Sequence, residues 1–186
     1  MHDDLWVAID FETATREPTS ACALGVAVID GLEVVETASW LIRPPFNEYE
    51  FWNTNVHGIC AKDTEFASEF DELWWEIGPI LAGRRLLAHN ASFDMRVLGA
   101  LVDTRGLTAP RYEYACTVSL ARKAMPQLPR HTLDTVCDHC GIALVHHDAA
   151  SDAEACARVA LACARAADAS SIGEAIEVLG VNWRQL

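Results

Sequence analysis

The sequence predicts an α/β fold: a mixed central sheet of three antiparallel N-terminal strands, then parallel strands, flanked by helices. Three observations predict it. Apolar segments at 5–10, 22–30 and 33–44 follow one another as strands, and Gly31 between the last two suits a hairpin turn. Later in the chain, helical and strand patterns alternate, which calls for parallel strands joined by helices on both faces. The chain has 186 residues, 51% hydrophobic and 22% charged, which is ordinary for a soluble protein with one sizeable core.

Each element has its own signal. The first strand, 5–10, is an unbroken apolar run that ends in acids. Residues 44–59 open on Pro44 and Pro45 and read as a long loop rich in aromatics. Residues 68–81 have amphipathic helical spacing, 84–90 form a short strand, and 92–106 return to helical spacing and stop at Gly106. Residues 112–117 read as another strand. The segments 118–125 and 131–141 read as helices split by a Pro-containing turn. A Ser-Asp start and an Ala-rich body make 151–167 a strong helix, and 171–180 a short terminal one.

Bulk charge narrows the function. At a net charge of −13 the chain is unsuited to coating duplex DNA or an anionic membrane, since both require a broad basic surface. An enzyme that grips only the end of a strand needs few phosphate contacts and is still allowed. No transmembrane run is present, and the N-terminal residues lack the basic start of a signal peptide. Seven cysteines without regular spacing fit reduced thiols in a cytoplasmic protein.

The acids sit in awkward places. Asp10 and Glu12 lie two residues apart on one strand, so they share a face roughly 7 Å apart while Phe11 takes the other. Either the strand frays into a solvated loop, or a cation sits between two like charges. Asp94 falls on the apolar stripe of its helix with Leu98 and Leu101, directly after the buried strand that ends in His89 and Asn90. In 146–152, His147 and Asp152 are five residues apart, about 140° around a helix, and converge only if His147 is in a loop and Asp152 in the first turn. Carboxylates without thiolates select hard cations such as Mg²⁺ or Mn²⁺, and two such ions serve phosphoryl transfer. A histidine titrating near neutrality suits a general base.

This ordered set resembles the DnaQ-like (DEDDh) exonucleases, the family that includes the proofreading epsilon subunit of bacterial DNA polymerase III. Its D-x-E-T motif is matched by residues 10–13, H-N-x-x-F-D by 89–94, and H-x-A-x-x-D by 147–152. Segments 56–59 and 116–123 also resemble family segments, so the likeness runs over roughly residues 5–165. It implies a ribonuclease H-like fold and an exonuclease domain over 1–168 followed by a short C-terminal helical tail, 169–186. It implies two divalent metal ions, Mg²⁺ or Mn²⁺, and stepwise release of 5'-monophosphates from 3' ends of single-stranded or frayed DNA. By motif, Asp10, Glu12 and Asp152 would hold the first ion. Asp10 would bridge to the second, with Asp94 near it through water, and His147 would be the base. The backbone of Phe11 to Thr13 would meet the terminal nucleotide, beside Asn90, while His57 and Phe93 pack on its sugar and base. The partner implied is a single-stranded 3' end, DNA ahead of RNA, within a DNA polymerase or repair complex. The alternatives are the same chemistry on RNA or short oligoribonucleotides, and a non-catalytic docking module. The family's epsilon subunit continues Thr-Gly after the first motif, where this chain has Ala14-Thr15.

Other features read more plainly. Cys137 and Cys140 lie one turn apart but lack a second pair to complete a zinc site. Of the adjacent Trp74 and Trp75, at least one belongs to the core. Phe46, Tyr49, Phe51 and Trp52 suit a stacking lid over single-stranded nucleic acid or the anchoring of a long loop, and anchoring is preferred. Arg122, Lys123 and Arg130 suit contacts to phosphates or ordinary helix-surface charges, and the second is the commoner case. Of His146 and His147, an extended loop would aim only the second at the acids.

Overall fold

A computed structural model describes residues 5–186; the signal-peptide expectation rests partly on residues 1–4, which lie outside the described residues. The chain runs β1 (Leu5–Thr13), β2 (Ala21–Asp30), β3 (Glu33–Leu41), α1 (Phe51–His57), α2 (Phe70–Leu81), β4 (Arg85–Ala88), α3 (Ser92–Thr104), β5 (Glu113–Cys116), α4 (Thr117–Ala124), α5 (Leu133–Cys140), α6 (Ala149–Ala166), α7 (Ile172–Val178) and β6 (Arg184–Gln185). The strands form one sheet in the order β3-β2-β1-β4-β5-β6. β1, β2 and β3 pair antiparallel, β1, β4 and β5 pair parallel, and β6 closes the edge antiparallel to β5. The expected mixed sheet is present.

Alternation along β1 divides the core in two. Val7, Ile9 and Phe11 enter the cluster built on α2 and α3, while Trp6 and Ala8 enter the one built on α4, α5 and α6. Asp10 and Glu12 continue the second set, so the strand's period of two aims both acids toward α6. α6 reaches them because its body is Ala-rich and lies close to the sheet. The contact is tightest at Gly25, opposite Asp10, where a Cβ would stand 1.8 Å from the Ala149 carbonyl oxygen. Only glycine allows that approach.

Three elements depart from expectation. β1 runs on to Thr13, past Asp10, because its last residues pair with β2 as far as Ala21. The loop expected at 44–59 contains α1, a seven-residue helix that buries none of its residues, too short for its apolar Trp52 and Val56 to build a repeating helical stripe in the sequence. β6 has two residues and exists only by pairing with β5. There Trp183 stacks on Trp6 at 5.4 Å, with the Arg85 guanidinium 4.8 Å from the Trp183 ring. Of the adjacent tryptophans, Trp74 packs on Phe70 and donates its indole N–H to the Thr108 carbonyl, whereas Trp75 is exposed. All seven cysteines are free thiols, and no described helix is long and apolar enough to cross a membrane.

Candidate active site

The acids gather at the carboxyl end of β1, in a cleft of about 810 Å³ lined by Asp10, Glu12, Asp94, Asp152, His146 and His147 among others. Ligands in open α/β sheets favour this end of the strands. A cavity of about 850 Å³ between the β2–β3 turn and α6 is lined largely by aliphatic side chains and the Glu154–Arg158 ion pair, and lacks such a collection of acids.

β1 supplies Asp10 and Glu12. Asp94 sits in the first turn of α3, 2% exposed, and its Oδ1 accepts the backbone N–H of Phe11 at 3.0 Å. Asp152 is in the first turn of α6, 3% exposed. Asp148 caps that helix by accepting the Ser151 N–H at 2.9 Å, which leaves Asp152 free to point into the cleft. Its Oδ2 accepts the His147 N–H at 2.8 Å. His147 is thus in the loop and Asp152 in the helix, the arrangement their spacing requires. The His147 ring places Nδ1 3.8 Å from Glu12 Oε1.

Oxygen atoms of Asp10, Glu12 and Asp152 lie within 4.8 Å of one another. Burial and crowding push every acid here toward its neutral form. Burial, then Asp94 and Glu12, raise Asp10 well above the carboxylate range. Burial, helped by Asp152 and Asp94, lifts Glu12 to about 8. Burial lifts Asp94 to about 7 against the bond from Phe11, and lifts Asp152 against the bond from His147. Such a nest is costly alone, and a divalent cation would discharge it. The donors are all oxygens, which fits Mg²⁺ or Mn²⁺.

The expectation that His146 faces elsewhere is corrected. Its ring stacks on that of His147 with centroids 4.0 Å apart and planes 10° apart, and Nδ1 lies 3.4 Å from Asp152 Oδ1. The alternation that would separate neighbours assumes extended backbone, and His147 has φ of 66°. The preference for anchoring aromatics is also corrected. Tyr49 does anchor its loop, through its hydroxyl to Thr64 Oγ1 at 2.8 Å, but Phe46, Phe51 and Trp52 are exposed.

Of the other candidates, Phe11, Asn90 and Phe93 line the cleft, although the Phe11 ring is buried in the core and its N–H is engaged by Asp94. Thr13 and His57 stand beside the cleft, bonded to each other. His57 Nδ1 accepts the Ile59 N–H at 3.0 Å, so Nε2 carries the proton and donates to the Thr13 carbonyl at 3.2 Å. His89 is neutral, held near 4 by burial, and donates Nε2–H to the His131 carbonyl at 3.0 Å. It braces the loop that carries Arg130. Of the three cations that suited either phosphates or a helix surface, Arg122 and Arg130 line the cleft. Arg122 falls within segment 116–123, and Arg130 directly precedes the helical segment 131–141.

A mixed sheet of this order with helices on both faces is a ribonuclease H-like fold. The chain belongs to the DEDDh exonuclease family: the sequence profile of the exonuclease family RNase T matches residues 7–160. It is 31% identical over 163 residues to the PolC-type DNA polymerase III of Thermotoga maritima, and 36% identical over 158 residues to that of Bacillus cereus. Those matches cover 86% and 82% of this chain but only 12% and 11% of the polymerases, so the chain spans about an eighth of these relatives. Among solved structures, exonuclease X in complex with 5' overhanging duplex DNA aligns with a TM-score of 0.74 at 19% identity, over 94% of this chain and 99% of that one. The nuclease domain of 3'hExo, bound to rAMP, aligns with a TM-score of 0.72 at 18% identity, over 87% and 92%. These two likenesses speak for the fold.

Proposed function

We propose that the protein is a metal-dependent 3'–5' exonuclease that removes terminal nucleotides from single-stranded or frayed DNA. The observation that carries this is the meeting of Asp10, Glu12 and Asp152 oxygens within 4.8 Å, with the His147 ring beside Glu12. Asp10, Glu12 and Asp152 would hold one divalent ion, and Asp10 with Asp94 a second. Bound there, such ions would supply Lewis-acid stabilisation of the phosphoryl oxygens and a readier water nucleophile. His147 takes the proton from the attacking water. Its burial and the neighbouring His146 lower its affinity for protons, so it is in the basic form at neutral pH. Asp94 positions the end of β1 by holding the Phe11 N–H. Asn90 and Phe93 meet the terminal nucleotide, and His57 with Thr13 fix the end of α1 beside it. Arg122 and Arg130 offer charge to the phosphates in a chain that has little to spare.

Kinship with PolC-type polymerases favours DNA and a place beside a polymerase, in the cytoplasm, where the free thiols would persist. The rAMP bound to the 3'hExo domain keeps RNA as the second substrate. Digestion of matched, 5'-labelled DNA and RNA strands with Mg²⁺ or Mn²⁺ tests the choice. Faster one-nucleotide shortening of DNA supports the proposal, and equal or faster loss of RNA contradicts it.

A further inference from the structure

We infer that a cleft at the amino end of the sheet, lined by Arg84, Arg85 and Arg111, is a second phosphate site that holds the substrate strand upstream of its 3' end; this rests on the exonuclease proposal. Leu5 opens β1, Arg85 opens β4 and Glu113 opens β5, so this cleft of about 490 Å³ lies at the pole opposite the acids. The chain carries 14 Lys and Arg against 27 Asp and Glu, yet three guanidinium groups converge here. Like charges gathered in one cleft repel one another unless an anion joins them. Glu113 is the one acid of the lining, and Arg85 engages it at 3.3 Å while lying over the Trp183 ring. Arg84 and Arg111 have no carboxylate within ion-pairing distance among the described residues. Arg84 gives an N–H to the Ile80 carbonyl at 2.8 Å, which leaves most of its donors unused.

A guanidinium is a planar fork that matches the oxygens of a phosphate. The position favours a phosphate of the substrate strand. β1 runs from Leu5 at one site to Asp10 at the other, roughly 17 Å at about 3.3 Å per residue. A strand rises about 3.4 Å per base step, so about six nucleotides cover that distance. Cations mark a way between the two sites. Arg122 lines the catalytic cleft from α4, which follows β5 directly; Arg184 is exposed on β6, opposite Tyr114 of β5; and Arg111 lies just before β5. The other edge of the sheet, β3, carries Glu33 and Glu36 instead. A strand whose last nucleotide lies against the acids is therefore steered along the β5–β6 edge and meets the arginine cleft with an upstream phosphate. Phosphate contacts carry no sequence information, as an exonuclease that moves along a strand requires.

The test is the affinity for phosphorothioate-linked single strands of twelve and three nucleotides in Mn²⁺, by fluorescence anisotropy over a range of salt. Arg84→Ala with Arg111→Ala is expected to weaken binding of the long strand about tenfold, to lower the slope of its log affinity against log salt by about one and a half, and to leave the short strand unchanged. Arg111→Ala alone should give about half the change in slope, and Arg84→Lys with Arg111→Lys should restore most of it. Arg158→Ala with Arg165→Ala, which takes the same charge from the cavity beside α6, should match the parent. A double alanine variant that holds the long strand as tightly as the parent, or that loses equally on both lengths, overturns the site. Inorganic phosphate or a ten-residue poly-aspartate held through these arginines, while parent and double variant bind the long strand alike, overturns it likewise: the cleft then serves a free anion or an acidic protein segment. A parent that binds the long strand through Arg84 and Arg111 but releases no nucleotide from a cleavable one overturns the exonuclease proposal and leaves the site supported.

Discussion

The carboxylate of Asp94 accepts the backbone N–H of Phe11 at 3.0 Å, joining α3 to the acid-bearing end of β1 across 83 positions of sequence. One group thus serves structure and charge at once, and two substitutions separate these. Asp94→Asn keeps an oxygen for the N–H but removes a buried like charge. It should cut turnover at least about a hundredfold while the metal-free protein melts no lower, and even higher. Asp94→Ala strands the buried N–H and should cost about 1–3 kcal/mol in denaturant melts. Wild-type turnover in Asp94→Asn would reduce this acid to a brace.

Metal-free stability should depend on pH in a definite direction. Folding raises Glu12 from 4.5 to about 8 and Asp94 from 3.8 to about 7. The folded state therefore holds its protons more tightly, so the contribution of these groups is complete below about pH 4 and is lost as pH rises toward 8. In chelator the melting temperature should fall over that interval. Millimolar Mn²⁺ should raise it most at the alkaline end, where the ion meets the ionised acids. A metal-induced shift that does not grow with pH would count against a cation seat in the nest.

His147→Ala should lose about a hundred- to ten-thousandfold in turnover and keep its metal-induced stabilisation. His146 has a supporting part through its stack and its contact with Asp152. His146→Ala should lose about tenfold by freeing its neighbour, and His146→Phe, which can still stack, should recover most of that. If His146→Ala proves the dead enzyme and His147→Ala the live one, the roles are reversed.

Gly25→Ala would set a methyl 1.8 Å from the Ala149 carbonyl oxygen. The start of α6 must then shift, and Asp152 shifts with it. Expected are a loss of about 1–3 kcal/mol in stability and a weaker response to Mn²⁺. Unchanged metal response would mean that the helix start does not position Asp152.

What the sequence revealed followed from periodicity. The period of two in β1 put Asp10 and Glu12 on one face, and helical spacing put Asp94 on the stripe with Leu98 and Leu101, all buried. What it hid lacks periodic burial. α1 is fixed by two polar side chains on one carbonyl oxygen, and its seven residues are too few for a hydrophobic period to repeat. His146 turned toward the acids because one residue adopts a positive φ, and no side-chain pattern records that. Arg122 and Arg130 became cleft residues only once α4 packed against α6 and β5.

On the proposed function, the nest of Asp10, Glu12 and Asp152 seats the cations on which stepwise hydrolysis depends. Its most direct test is the shortening of a 5'-labelled single strand by protein stripped of metal, as Mn²⁺ is added back. Expected are no shortening in chelator, then a ladder stepping one nucleotide at a time from the 3' end as Mn²⁺ rises, absent in Asp152→Asn. The same ladder in excess chelator, or an undiminished one from Asp152→Asn, would contradict it.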